Sequence, residues 1–146
     1  MANDSIQDNT IEDRAREIVD EFALFPDWMG KYEHLIEMGE SIPEIDAAYK
    51  DDEHRIHGCQ SKVWVRAEPE DNHIRYTGDS NAMITKGLAA LVIRVLDDQP
   101  PEAITQAEFD FMEQIGLDEH LSSTRKNGLA AMIKQMKRFA RETDRH

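Results

Sequence analysis

The hydrophobic period of this chain changes twice, and that limits what it can fold into. Near the start, Ile11, Ala15, Ile18, Val19 and Phe22 lie on one face of a helix, and Trp28, Tyr32, Leu35 and Ile36 repeat the spacing. From about His54 to Asp79 no helical stripe exists. There Val63, Val65 and Ala67 alternate with Trp64, Arg66 and Glu68, and Ile74 and Tyr76 begin a second alternating run. Helical spacing then returns with Ile84, Leu88, Leu91, Val92 and Val95. It recurs with Phe109, Met112 and Ile115, and with Leu129, Met132, Ile133, Met136 and Ala140. Stripes at both ends bury their apolar faces most simply on a central sheet. The reading is an α+β fold, a small antiparallel sheet of about three strands packed with helices from both ends of the chain.

Local signals predict the boundaries. Thr10 with Asp13 reads as a capping pair for the first helix, and Gly39 as the stop of the second. Pro69 to Asn72 is turn chemistry, and a tight bend is expected near Gly58. Ser80 or Asn81 is expected to cap the third long helix, which Pro100 and Pro101 end. Thr105 with Glu108 reads as a second capping box, before a short helix closed by Gly116, and Ser122 as the cap of the last helix. Residues 1–9 read as a flexible acidic tail and 10–146 as one domain; 146 residues suffice for one core.

Composition removes whole classes of function. The single cysteine, Cys59, excludes an internal disulfide, a CxxC pair and a Cys-rich metal cage. A net charge of −13 argues against nucleic acid or an anionic membrane as partner, and no apolar run has the length of a membrane span. The polar N-terminus resembles neither a signal nor a transit peptide, so a reducing cytoplasm is expected. The charge is uneven: residues 122–146 carry a balance of +5 and the rest −18. The acidic body suits a basic protein surface.

Chemistry centres on His57-Gly58-Cys59-Gln60-Ser61. A lone cysteine is commonly a small buried hydrophobe. This one sits at a turn before a strand, where reactive groups concentrate, and a favoured thiolate there is a nucleophile. If the strand runs through Cys59, His57 shares its face and supports the thiolate; otherwise it is a surface histidine. His54, His57 and Cys59 offer three metal ligands without an obvious fourth, so no metal is assigned. A Cys–His hydrolase stays open. Lys134, Lys137, Arg138 and Arg141 read as a solvated basic stripe. Arg125 sits on the apolar side of the last helix and in its first turn, against the helix dipole, which marks a site or a buried ion pair.

Longer motifs are familiar. Lys31-Tyr32-Glu33-His34-Leu35-Ile36-Glu37-Met38-Gly39, Ile42-Pro43, Gly58-Cys59-Gln60-Ser61-Lys62-Val63-Trp64, Asp79-Ser80, Lys86-Gly87-Leu88, Gly116-Leu117, His120-Leu121-Ser122 and Arg125-Lys126-Asn127-Gly128-Leu129 resemble, in this order, the SufE/CsdE family of sulfur acceptors. The resemblance implies a fold shared with IscU-type scaffolds. It implies that Cys59 accepts persulfide sulfur from a pyridoxal-phosphate cysteine desulfurase of the SufS or CsdA type, stimulates that enzyme, and passes the sulfur to an Fe–S scaffold. It matches the family's arginine, associated with the desulfurase interaction and the active cysteine, to Arg125. It implies no cofactor in this chain. The alternative is a non-covalent regulatory module for a desulfurase, with Cys59 a spectator.

Overall fold

The structure is a computed structural model that describes residues 10–144, so the expected tail at 1–9 lies outside the described residues. Helix α1 spans Ile11–Phe22 and α2 spans Trp28–Glu40. A 3-10 turn at Ala47–Tyr49 leads toward strands β1, Val63–Glu70, and β2, His73–Ser80. Then come α3, Met83–Leu96, three short helices, α4 (Pro101–Gln106), α5 (Phe111–Gln114) and α6 (Leu117–His120), and the long α7, Ser123–Asp144.

The sheet is a two-stranded antiparallel hairpin, paired from Val63↔Ser80 to Glu70↔His73. Its turn residues, Asp71 and Asn72, both have positive φ, which matches the right-handed twist of the strands. Strand β1 therefore runs through Pro69, which sequence reading placed in the turn. The expected third strand shrinks to one rung. Ile56 N–H donates to Val63 and Val65 N–H to His54, after which the chain turns away at Gly58, φ +96°. Beside β2, Gly78 N–H donates to Pro43 and Ile45 N–H to Gly78. A second bridge joins Ile74 to Gln99, so one rung on the β1 edge and two on the β2 edge occupy part of each, which discourages pairing with another chain.

Helix α3 is buried on nearly every side, by α2, the hairpin and α7. Val63, Val65, Ile74 and Tyr76 from the hairpin join Leu88, Leu91, Val95, Met132 and Met136 in one apolar cluster. Tyr76 is enclosed and its hydroxyl donates to the Met136 carbonyl (2.7 Å), tying hairpin to α7. Burying each large side chain contributes about 1.5–3 kcal/mol.

Thr10 caps α1, accepting from Asp13 N–H (3.1 Å), and Ser122 caps α7, accepting from Arg125 N–H (3.2 Å). Gly39 does not stop α2. It lies buried within the helix where α2 crosses α3, and a Cβ there would come within 2.9 Å of Gly87 N. Gly87 is tighter still, since its Cβ would lie 2.2 Å from the Leu35 carbonyl oxygen. Neither Ser80 nor Asn81 is the N-cap of α3, which is Ala82. Ser80 Oγ instead accepts from Ala82 N–H, and Asn81 Oδ1 from Lys62 N–H. Pro101 opens α4, where the missing N–H costs nothing, and Thr105 sits inside that helix instead of capping the next.

Candidate functional site

Glycine at position 58 turns the chain back before β1 and lays residues 57–59 along α7. Three helix positions receive them. Gln135 grips the His57 backbone, accepting from its N–H (3.3 Å) and donating to its carbonyl (2.7 Å). Ala131 faces Gly58, where an added Cβ would lie 3.2 Å from the Ala131 Cβ. Gly128 faces Cys59, and a Cβ on Gly128 would lie 3.3 Å from Sγ. Residues 128, 131 and 135 share one helical face, so α7 is a rail for the cysteine turn. Glycine inside a helix costs about 1 kcal/mol against alanine; here its bareness admits the sulfur.

Cys59 is half-buried and its thiol donates to the Gly128 carbonyl (Sγ···O 3.5 Å). It opens on a cavity of about 280 Å³, walled by Gln60 and Ser61, by Thr85 and Leu88 of α3, and by Ser122, Thr124, Arg125, Gly128 and Met132. Burial pushes the Cys59 thiol above its ordinary pKa, and the Arg55 charge pulls weakly against that. At rest the neutral thiol is favoured.

Arg125 is exposed on the wall of this cavity, not in a buried pair, and among the described residues no carboxylate lies within ion-pair distance of it. The reason is position: in the first turn of α7, where the helix has just emerged, the apolar side of the wheel faces the cavity mouth and not the core. His57 is also exposed and does not line the cavity. The positive φ at Gly58 breaks the two-residue alternation that would have put His57 beside the thiol. Nearby charge at the thiol comes instead from Arg55, which sequence reading missed. His54 Nδ1 pairs with Asp51 (2.7 Å), holding the Asp51 carboxyl below the usual carboxylate range. No group of metal-holding side chains occurs among the described residues. Lys137 departs from the solvated stripe: it is partly buried, donates to the Ala107 carbonyl, and desolvation lowers its pKa.

Thr85, Gly128, Ala131 and Gln135 went unassigned as site residues. A glycine within a helical stripe is a signal of close approach; nothing local marks Thr85 or Gln135.

One thiol, pressed by a tight turn onto a helix and opening on a small cavity in an α+β domain, defines the candidate site, with no second thiol and no metal-holding cluster among the described residues. A family model described as "SufE: Fe-S metabolism associated domain" matches residues 16–140, and the chain belongs to the SufE family. It is 36% identical over 126 residues to an uncharacterized SufE-like protein of Rhizobium meliloti, covering 83% of this chain and 90% of that one. Against a SufE-like protein of Rhizobium etli it is 35% identical over 130 residues, covering 86% and 88%. Against SufE-like protein 1, chloroplastic/mitochondrial, of Arabidopsis thaliana it is 38% identical over 128 residues, 87% of this chain but 34% of that longer one. The fold also matches the solution structure of a hypothetical protein from Thermus thermophilus, with TM-score 0.76 at 22% identity over 91% of this chain and 97% of the other.

Proposed function

We propose that the protein is a cytoplasmic sulfur carrier. Cys59 takes sulfur from the persulfide of a pyridoxal-phosphate cysteine desulfurase of the SufS or CsdA type, stimulates that enzyme by clearing its product, and delivers the sulfur to an Fe–S assembly scaffold. The observation that carries this reading is one thiol in a sheltered cavity within a SufE-family chain.

The chemistry is an exchange at sulfur. The Cys59 thiol loses its proton to solvent. Its thiolate attacks the outer sulfur of the donor persulfide, a new S–S bond forms to Cys59, and the donor cysteine leaves as thiolate. No oxidant is consumed. With one cysteine in the chain, no neighbouring thiol can attack the loaded persulfide and expel sulfide. Arg125, without a carboxylate partner at the cavity wall, supplies a positive charge for the attacking thiolate or the docked partner. His57 retains only a contribution from outside the cavity.

The raised pKa of Cys59 favours a second reading, in which the resting thiol is a spectator and the protein regulates a desulfurase by binding alone. Cys59→Ser separates the two. Desulfurase turnover on L-cysteine with a thiol reductant is measured with wild type and with the variant. The carrier reading expects stimulation to vanish with the thiol; stimulation fully kept by Cys59→Ser would support the binding module instead.

A further inference from the structure

We infer that the Thr85 hydroxyl is a hydrogen-bond donor to the outer sulfur of a persulfide on Cys59. The inference rests on the carrier reading and adds a residue to it. Thr85 lies in the first turn of α3, amid Ile84, Leu88, Leu91 and Val92, and is only 7% exposed. A buried threonine in a helix ordinarily turns its hydroxyl back onto a carbonyl of the preceding turn, as Thr105 does here onto Glu102 (3.0 Å). Thr85 does not: among the described residues its hydroxyl has no hydrogen-bond partner. Among the described residues no fully enclosed side-chain polar atom lacks a partner, so this hydroxyl keeps some accessible surface, and the open space that Thr85 lines is the Cys59 cavity.

The other hydroxyls of that wall differ. Ser122 and Thr124 are exposed and Ser61 is partly so, and water competes for them. Thr85 is enclosed, where a hydrogen bond to an anion is strongest. In the unloaded protein the thiol proton is directed at the Gly128 carbonyl. Once sulfur is added, that S–H is replaced by S–S, and the outer sulfur extends one bond further into the cavity that Thr85 walls. The outer sulfur carries the anion, and Thr85 donates to it without losing its proton. Arg125 lines the same cavity, and Arg55, outside its wall, is the cation whose charge reaches Sγ.

The test uses wild type, Thr85→Val and Thr85→Ser, each loaded with L-cysteine and a desulfurase and, separately, with inorganic polysulfide, whose terminal sulfur is taken by the same thiolate attack while the shortened polysulfide leaves. Loading is read by intact mass, and the pH dependence of alkylation is recorded for loaded and unloaded protein. Thr85→Val is expected to raise the apparent pKa of the loaded persulfide by about one unit. Thr85→Ser is expected to restore it, and the unloaded thiol to titrate alike in all three. Equal persulfide midpoints in wild type and Thr85→Val would overturn the inference, as would an equal shift in the unloaded thiol, which marks a structural effect. Loading by polysulfide but not by the desulfurase would instead sink the carrier reading, leaving the Thr85 comparison readable.

Discussion

Two concave regions of this molecule teach opposite lessons. The larger, about 650 Å³, lies between α1, α2 and the end of α3 and is rich in charge. Every principal charge in it is engaged. Arg94 forks onto both Glu21 oxygens, His34 Nε2 meets Glu21 Oε1 (3.0 Å), and Arg14 donates to the carbonyls of Arg94 (3.1 Å) and Asp97 at the C-terminal end of α3. That region is a clasp between helices. The smaller cavity, about 280 Å³, leaves a cysteine, a buried threonine hydroxyl and an arginine without charged partners. Groups without an ion-pair partner, not volume, distinguish this site from the seam.

Arg94→Met tests the clasp and has the largest expected effect. It leaves Glu21 with His34 as its one remaining partner among the described residues, and should lower stability by about 1–2 kcal/mol, a range discounted because the pair is about one-third exposed. Sulfur loading of Cys59 should not change. Its pH signature is also defined. The hydrogen bond from Arg94, helped by His34, holds the Glu21 carboxyl below its ordinary pKa. The stability this gives is present above the ordinary glutamate range and lost as pH falls through the depressed value. Urea unfolding from neutral to acid pH should show that loss in wild type and less of it in Arg94→Met. Slower sulfur loading in this variant would erase the distinction between the two regions.

Gly128→Ala probes the cavity and should move stability by no more than about 1 kcal/mol, because helix propensity gained offsets the crowding of Sγ. The thiol, pushed toward solvent, should titrate closer to an ordinary cysteine and alkylate faster at neutral pH. An unchanged alkylation profile would show that burial does not control this thiol.

Arg125→Ala should leave stability within about 0.5 kcal/mol, since the side chain is exposed and has no ion-pair partner among the described residues. Sulfur transfer from a desulfurase should slow several-fold, and more so at low salt. Smallest is His57→Ala, expected to leave the thiol's pH profile unaltered because the ring lies outside the cavity; a shift would restore it to the site.

The difference between the regions also tracks what sequence can carry. Long stripes such as Ile11–Phe22 and Leu129–Ala140 specify helices because one face repeats over several turns. The stretch from Pro101 breaks into three short helices, and Gly116, at φ +88°, separates the last two. Gly39 illustrates the limit: a stop signal locally, it is a crossing point because Gly87, far along the chain, needs it. Cys59 was legible as a turn cysteine. Its cavity was not, because the walls come from α3 and α7, and the alternatives left open for Arg125 and His57 have the same cause: which way a side chain faces depends on elements distant in sequence.

The central claim is that Cys59 carries sulfur. Intact mass spectrometry after incubation with a cysteine desulfurase and L-cysteine tests it most directly. The account predicts one added sulfur atom, mapped to Cys59, removed by reductant and absent from Cys59→Ser. An unaltered mass in the presence of a cognate desulfurase that is turning over, or an equal adduct on Cys59→Ser, would contradict it.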